Sequence, residues 1–354
     1  MKRTWLIGAS VAFLASTNVG AEPPKAEEAL FRVKSVDLPI SSLVDEVSAR
    51  VQQQAADEKP SLSAKPGCGS SGATNEQRAA LRQCQYQAYI ALQKAKYDVE
   101  ITDQRIGGIA TEVFVPKGGV SPTNRTRVLI NLHGGGFVAG ARTISKIEAI
   151  PIAGTGRIKV ISVDYRQGPE NVFPAASEDV AIVYRELLKT YKPKQIGIYG
   201  CSAGGLLTAQ SVARILKEDL PLPGAIGMFC TGANYWSDGD SGYLLGQHLV
   251  GGPIATVATN PYFKGIRADD EQAFPALSPR LMSQFPPSLL VSGTRDFGLS
   301  SVVNTHARLI GEGVTAELHV WEGLEHAFLF DPRLPESQET YRIVADFFDR
   351  RLAP

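Results

Sequence analysis

The small residues Gly200-Cys201-Ser202-Ala203-Gly204-Gly205 follow a short apolar run, Gln195 to Tyr199, and precede a helical stretch, Leu206 to Ser211. A serine between glycines at a strand-to-helix junction sits on a sharp turn that exposes its hydroxyl, so Ser202 is the candidate nucleophile. Glycine and serine are also ordinary turn residues, and the flanking strand and helix patterns carry the reading. An attacking serine creates a tetrahedral oxyanion, which backbone N–H groups must meet where the charge develops. The apolar run Val128 to Leu132 empties into His133-Gly134-Gly135-Gly136. Glycines there let main-chain amides approach a substrate closely.

The serine needs a base, and the chain has five histidines. His133 belongs to the glycine loop, His248 to a Gly-rich stretch, and His306 to a predicted helix, Val302 to Ile310. His319 falls inside the period-two pattern Ala316 to Trp321 and reads as a sheet residue. His326 lies beyond that strand, in a loop able to carry an imidazole back over the sheet. The orienting carboxylate is expected between serine and histidine in chain order. Asp296 fits, since it follows the apolar run Ser288 to Val291 and a glycine turn. Asp238, Asp240, Asp269 and Asp270 lack a strand leading into them and read as loop charges. The chemistry implied is nucleophilic acyl transfer by Ser202, His326 and Asp296.

With these residues in hand, the chain resembles the bacterial hormone-sensitive-lipase-like (family IV) carboxylesterases, of the α/β-hydrolase fold. The likeness rests on His133-Gly134-Gly135-Gly136, on Gly200 to Gly205, on Asp164-Tyr165-Arg166 with Pro169, Glu170 and Asp179, and on the Asp296 and His326 segments. It covers roughly residues 95–350 and implies that the amides of Gly135, Gly136 and Ala203 form the oxyanion hole. It also implies short- to medium-chain acyl esters as substrates, no metal or organic cofactor, and a helical cap over the site. Departures are Cys201 where the family often has Asp, Gln167-Gly168 where it often has Leu-Ala, and Ser300 and Ser301 where a further acid frequently stands. Lactone hydrolysis and deacetylation share the same chemistry. A non-catalytic ligand-binding protein on the same scaffold is the alternative from another class, and the presence of His326 argues against it.

The elements that must position these groups alternate from Val99 onward. Apolar strands are predicted at Ala110–Val115, Val128–Leu132, Lys159–Asp164, Gln195–Tyr199, Ala225–Cys230, Ser288–Val291 and Ala316–Trp321, with amphipathic helices such as Ala176–Lys189 between them. The pattern predicts an α/β fold with a mainly parallel central sheet covered by helices on both faces and a site at the carboxyl ends of the strands. Residues 22–95 read as an extension carrying cap helices, one of them at Asn75–Lys96. Residues 96–354 read as the catalytic domain. A Gly-, Pro- and aromatic-rich stretch at about 234–285 interrupts the rhythm and reads as a second cap contribution, with Trp236 and Tyr243 as candidate pocket residues.

Residues 1–21 combine Lys2 and Arg3, an apolar stretch too short to span a bilayer, and small residues before Ala21, the pattern of a secretory leader. Its removal would leave a formal charge of −2 on a chain otherwise balanced at 36 basic and 36 acidic residues. This balance offers no electrostatic case for nucleic acid or an anionic membrane as partner. A small-molecule ester is the expected partner, and a homodimer is compatible with the sequence. Export, to a periplasm or beyond the cell, permits disulfides among Cys68, Cys84, Cys201 and Cys230. Either Cys68–Cys84 or Cys201–Cys230 could bond. As a thiol preceding the elbow apex, Cys201 reads as packing beneath it rather than as a nucleophile.

Overall fold

Side chains that alternate along the central strands divide between two cores. On β3 (Val128–Leu132), Val128, Ile130 and Leu132 join one cluster and Leu129 the other; on β5 (Ile196–Cys201), Ile196 and Ile198 join the first, Tyr199 and Cys201 the second. A strand buried on both faces needs helices on both sides of its sheet. The first core is closed by α4 (Ala175–Leu187), α5 (Ala203–Lys217) and α8 (Leu299–Gly311). The second is closed by α2 (Asn75–Lys96), α3 (Ile144–Gly156) and α9 (Pro335–Arg351). The computed structural model describes residues 39–57, 68, 74–250 and 255–354. The expected leader at 1–21 lies outside them.

The sheet has eight strands in the order β1-β2-β4-β3-β5-β6-β7-β8. The strand β1 (Val99–Ile106) forms an antiparallel hairpin with β2 (Ile109–Pro116), which pairs antiparallel with β4 (Lys159–Val163); every pairing from β4 onward, through β6 (Ala225–Phe229), β7 (Ser288–Arg295) and β8 (Ala316–Glu325), is parallel. The mainly parallel α/β sheet expected from the alternation is therefore present. The edge strand β1 escaped the sequence reading because its burial is weak, with only Ile106 buried. Strand β8 runs to Glu325 rather than stopping at Trp321, and His326 opens the turn that follows it.

Upstream, α1 (Glu46–Asp57) lies against α9 and β8, where Ser48 hydrogen-bonds Glu336 and Gln52 donates to the Gly323 carbonyl at 3.1 Å. Helix α2 starts where Thr74 and Gln77 cap each other reciprocally. It is tied to the body through Gln93, which donates to Tyr341 Oη at 2.9 Å. Cys68 and Cys84 form a disulfide, while Cys201 and Cys230 are free and buried.

Among the described residues, the stretch 234–285 contains α6 (Asp240–Val250), short 3-10 turns at Pro261–Phe263 and Pro275–Leu277, and α7 (Pro279–Met282). Trp236 is buried, stacked on Tyr235 with ring centroids 4.0 Å apart, and belongs to an aromatic cluster with Phe137, Tyr262 and Phe263. Tyr243, by contrast, is 82% exposed. The two aromatics singled out in the sequence thus have opposite surroundings. Among the described residues, no helix is long and apolar enough to cross a membrane.

Candidate active site

Ser202 stands between β5 and α5 with φ 58° and ψ −125°, a left-handed conformation that a serine adopts only when its surroundings enforce it. Its N–H donates to the Phe229 carbonyl at 2.8 Å, and its carbonyl accepts from Gly205 N at 2.9 Å. The turn is that tight because Gly204 presses onto the neighbouring strand, where a Cβ would lie 1.7 Å from the Leu132 carbonyl oxygen. Cys201 points beneath the turn into the second core, as expected of a packing residue.

Three side chains from separate strand ends meet here. His326 Nε2 is 2.8 Å from Ser202 Oγ, and His326 Nδ1 is 2.7 Å from Asp296 Oδ1. Asp296 is fully buried, and its carboxylate accepts further bonds from Gly298 N at 2.7 Å and Ser292 Oγ at 2.9 Å. Those donors keep its oxygens aimed. The imidazole also stacks on Phe297, ring centroids 3.9 Å apart. Because a carboxylate only accepts, Nδ1 carries the ring proton and Nε2 is left free to take one from the serine.

The rival acids lie elsewhere: Asp238, Asp240 and Asp269 are exposed, Asp269 pairs with Arg267, and Asp270 bonds the Gln272 amide. Histidines 306 and 319 sit on α8 and β8. The side chain of His248 is outside the described residues. His133 is fully buried and stacked on Tyr165, and burial pushes its pKa down to about 4, so it is neutral and structural.

Beside Ser202, Gly135 and Gly136 have φ of 114° and 67°. A Cβ on Gly135 would fall 2.0 Å from the Ala139 carbonyl oxygen, so no other residue fits the turn. The amides of Gly135, Gly136 and Ala203 have no hydrogen-bond acceptor among the described residues. The loop is pinned from outside by Asn260, donating to the Gly136 carbonyl at 3.0 Å, and by Arg78 of α2, donating to the Val138 carbonyl at 2.9 Å. From beneath, buried Glu148 of α3 accepts from Gly134 N at 2.9 Å and from Asn131 Nδ2 at 2.9 Å, and its carboxyl faces the backbone N–H of Cys201. Burial raises the Glu148 pKa to about 8.

The sequence reading missed Glu148, Asn260, Arg78, Ser292 and Phe297. Only Glu148 left a signal, as an acid in an otherwise apolar helix segment, Ile147 to Ala153. In the Asp164-Tyr165-Arg166 motif, Arg166 pairs with Asp179 at 2.9 Å and Tyr165 Oη donates to the His133 carbonyl at 2.6 Å. The motif therefore braces the glycine loop through β4.

Residues 129–330 match the family model of the alpha/beta hydrolase fold, and the chain belongs to that family. The hormone-sensitive-lipase-like resemblance read from the motifs agrees with the comparisons. Among curated relatives, the versiconal hemiacetal acetate esterase of Dothistroma septosporum is 25% identical over 68% of this chain and 77% of its own. Among solved structures, the esterase E25 superposes with a TM-score of 0.76 at 27% identity, covering 92% of this chain and 99% of its own. An esterase of the bacterial hormone-sensitive lipase family shares the fold with a TM-score of 0.71 at 24% identity, covering 87% and 99%.

Proposed function

We propose that this carboxylic ester hydrolase works through Ser202, His326 and Asp296, cleaving short- to medium-chain acyl esters of small molecules. The observation that carries the reading is the unbroken run of contacts from Ser202 Oγ through the imidazole to the buried Asp296 carboxylate.

In the acylation step, Nε2 takes the Ser202 proton as Oγ adds to the ester carbonyl, and Asp296 favours the resulting imidazolium. The amides of Gly135, Gly136 and Ala203 receive the oxyanion. The imidazolium then protonates the departing alkoxide. Water, deprotonated by the same nitrogen, releases the acid in the second half of the cycle. Short acyl chains are inferred from the family resemblance. Export after a leader ending near Ala21 is inferred from the N-terminal pattern, and the Cys68–Cys84 disulfide supports an oxidising compartment.

A p-nitrophenyl ester series with lactones and an acetamide, combined with organophosphate labelling, tests the reading. Stoichiometric labelling is expected in the parent and none in Ser202→Ala, with labelling greatly slowed in His326→Ala. Equal labelling of parent and Ser202→Ala overturns the assignment of the nucleophile, and activity confined to emulsified long-chain triglyceride overturns the acyl range.

A further inference from the structure

Cys230 is a buried side chain beside the proposed reacting residues. It ends β6 in a left-handed conformation, φ 58°, that directs its thiol inward. Its Sγ accepts the N–H of Ala327, next to His326, at 3.3 Å. The same sulfur faces the Asp296 carboxylate and the thiol of Cys201, which precedes Ser202. Cys230 Sγ, a carboxylate oxygen of Asp296 and a ring nitrogen of His326 all lie within 4.8 Å of one another. Serine hydrolysis has no use for that sulfur.

Sulfur, imidazole nitrogen and carboxylate oxygen converging in a buried place form a donor set for a thiophilic divalent cation. Bond lengths of about 2.0–2.3 Å around zinc put tetrahedral ligand atoms roughly 3–4 Å apart, so modest side-chain rotation closes the set. We propose that Cys230, Asp296 and His326 constitute an inhibitory site for zinc and related soft cations, with a water as the fourth ligand. This rests on the reading of His326 as the base.

The protons balance as follows. Before binding, one proton is on the Cys230 sulfur and one on His326 Nδ1. On binding, metal–sulfur, metal–oxygen and metal–Nδ1 bonds form; the thiol proton leaves to solvent, and the ring proton is exchanged from Nδ1 to Nε2. One proton is released per cation. The dication is neutralised by one thiolate and one carboxylate, which makes the complex tolerable in a buried setting. Nε2, now protonated in a neutral ring, has no lone pair to accept the Ser202 proton, and the reaction stops. Magnesium, which prefers oxygen ligands, should not compete.

The test uses the folded protein with zinc, cadmium and cobalt(II) salts, and magnesium as the contrast. Inhibition by zinc reversed with chelator is expected, and Cys230→Ala should raise the half-inhibiting zinc concentration, relative to that variant's own uninhibited rate, by at least roughly tenfold. Cobalt(II) should give a thiolate charge-transfer absorption in the parent and in Ser202→Ala, but not in Cys230→Ala. The Ser202→Ala arm reads the site without activity, so a failed triad assignment and a failed metal assignment give different results. Cys201→Ala, whose thiol is outside the donor set, should retain the absorption. Unchanged zinc sensitivity in Cys230→Ala, or no thiolate absorption in a parent that zinc inhibits, overturns the proposal.

Discussion

The N–H of Gly134 donates to the carboxyl of Glu148 at 2.9 Å, and the same carboxyl faces the backbone N–H of Cys201. One buried side chain therefore holds the glycine loop and lies against the residue that precedes Ser202. The position of the proposed oxyanion donors relative to the nucleophile is expected to depend on that side chain.

Replacing Glu148 by alanine should loosen both segments. Since a lost oxyanion donor costs about 10²–10³ in kcat, a displaced one should cost roughly 10–100-fold, with KM little changed. Steady-state kinetics on a p-nitrophenyl ester measure this. A rise in KM at constant kcat would show that Glu148 serves substrate binding instead.

Glu148 also shapes the response of stability to pH. Its pKa is about 8 in the folded protein against an ordinary 4.5, so the folded state keeps a proton that the unfolded chain releases, and stability falls as pH rises through that window. His133 acts at the other end. At about 4 against 6.5, it stays neutral while the unfolded chain takes up a proton, so stability is lost as pH falls from 6.5 toward 4. Thermal unfolding from pH 4 to 9 should show an alkaline decline that is shallower in Glu148→Gln. Parallel alkaline limbs in parent and variant would sink the assignment.

Gly204→Ala should destabilise the fold by about 3 kcal/mol or more, because the added carbon meets backbone rather than a movable side chain. Urea denaturation reads the loss. A variant within about 0.5 kcal/mol of the parent would mean that β3 and the elbow can separate at little cost.

The Cys68–Cys84 bridge closes a loop of sequence separation 16. Restricting such a loop in the unfolded chain contributes on the order of 3 kcal/mol, so mild reduction should lower the unfolding temperature while leaving kcat on small esters nearly intact. Loss of activity at temperatures where the reduced protein is still folded would place α2 in the reacting geometry.

The proposed reacting residues were legible along the chain because each announces itself locally. Ser202 and the glycine loop need unusual backbone angles, and these demand glycines at set spacings. Asp296 and His326 follow apolar runs whose periodicity marks them as strands. The same local logic predicted α4 at 176–189 against the observed Ala175–Leu187. It failed for β1, whose side chains are mostly exposed and carry no clear alternation.

What supports those residues could not be read in one dimension. Asn260 reaches the Gly136 carbonyl across 124 positions, Arg78 reaches that of Val138 across 60, and Cys230 meets Asp296 only because β6 lies beside β7. Polar side chains of this kind are common anywhere in a sequence, and their meaning comes from the neighbour that the strand order supplies. Backbone geometry is a local constraint that selects residue types in place, whereas a contact between distant side chains is decided by packing of the whole sheet. The sequence alone therefore determined which groups are proposed to react, and the tertiary structure decided which others hold them.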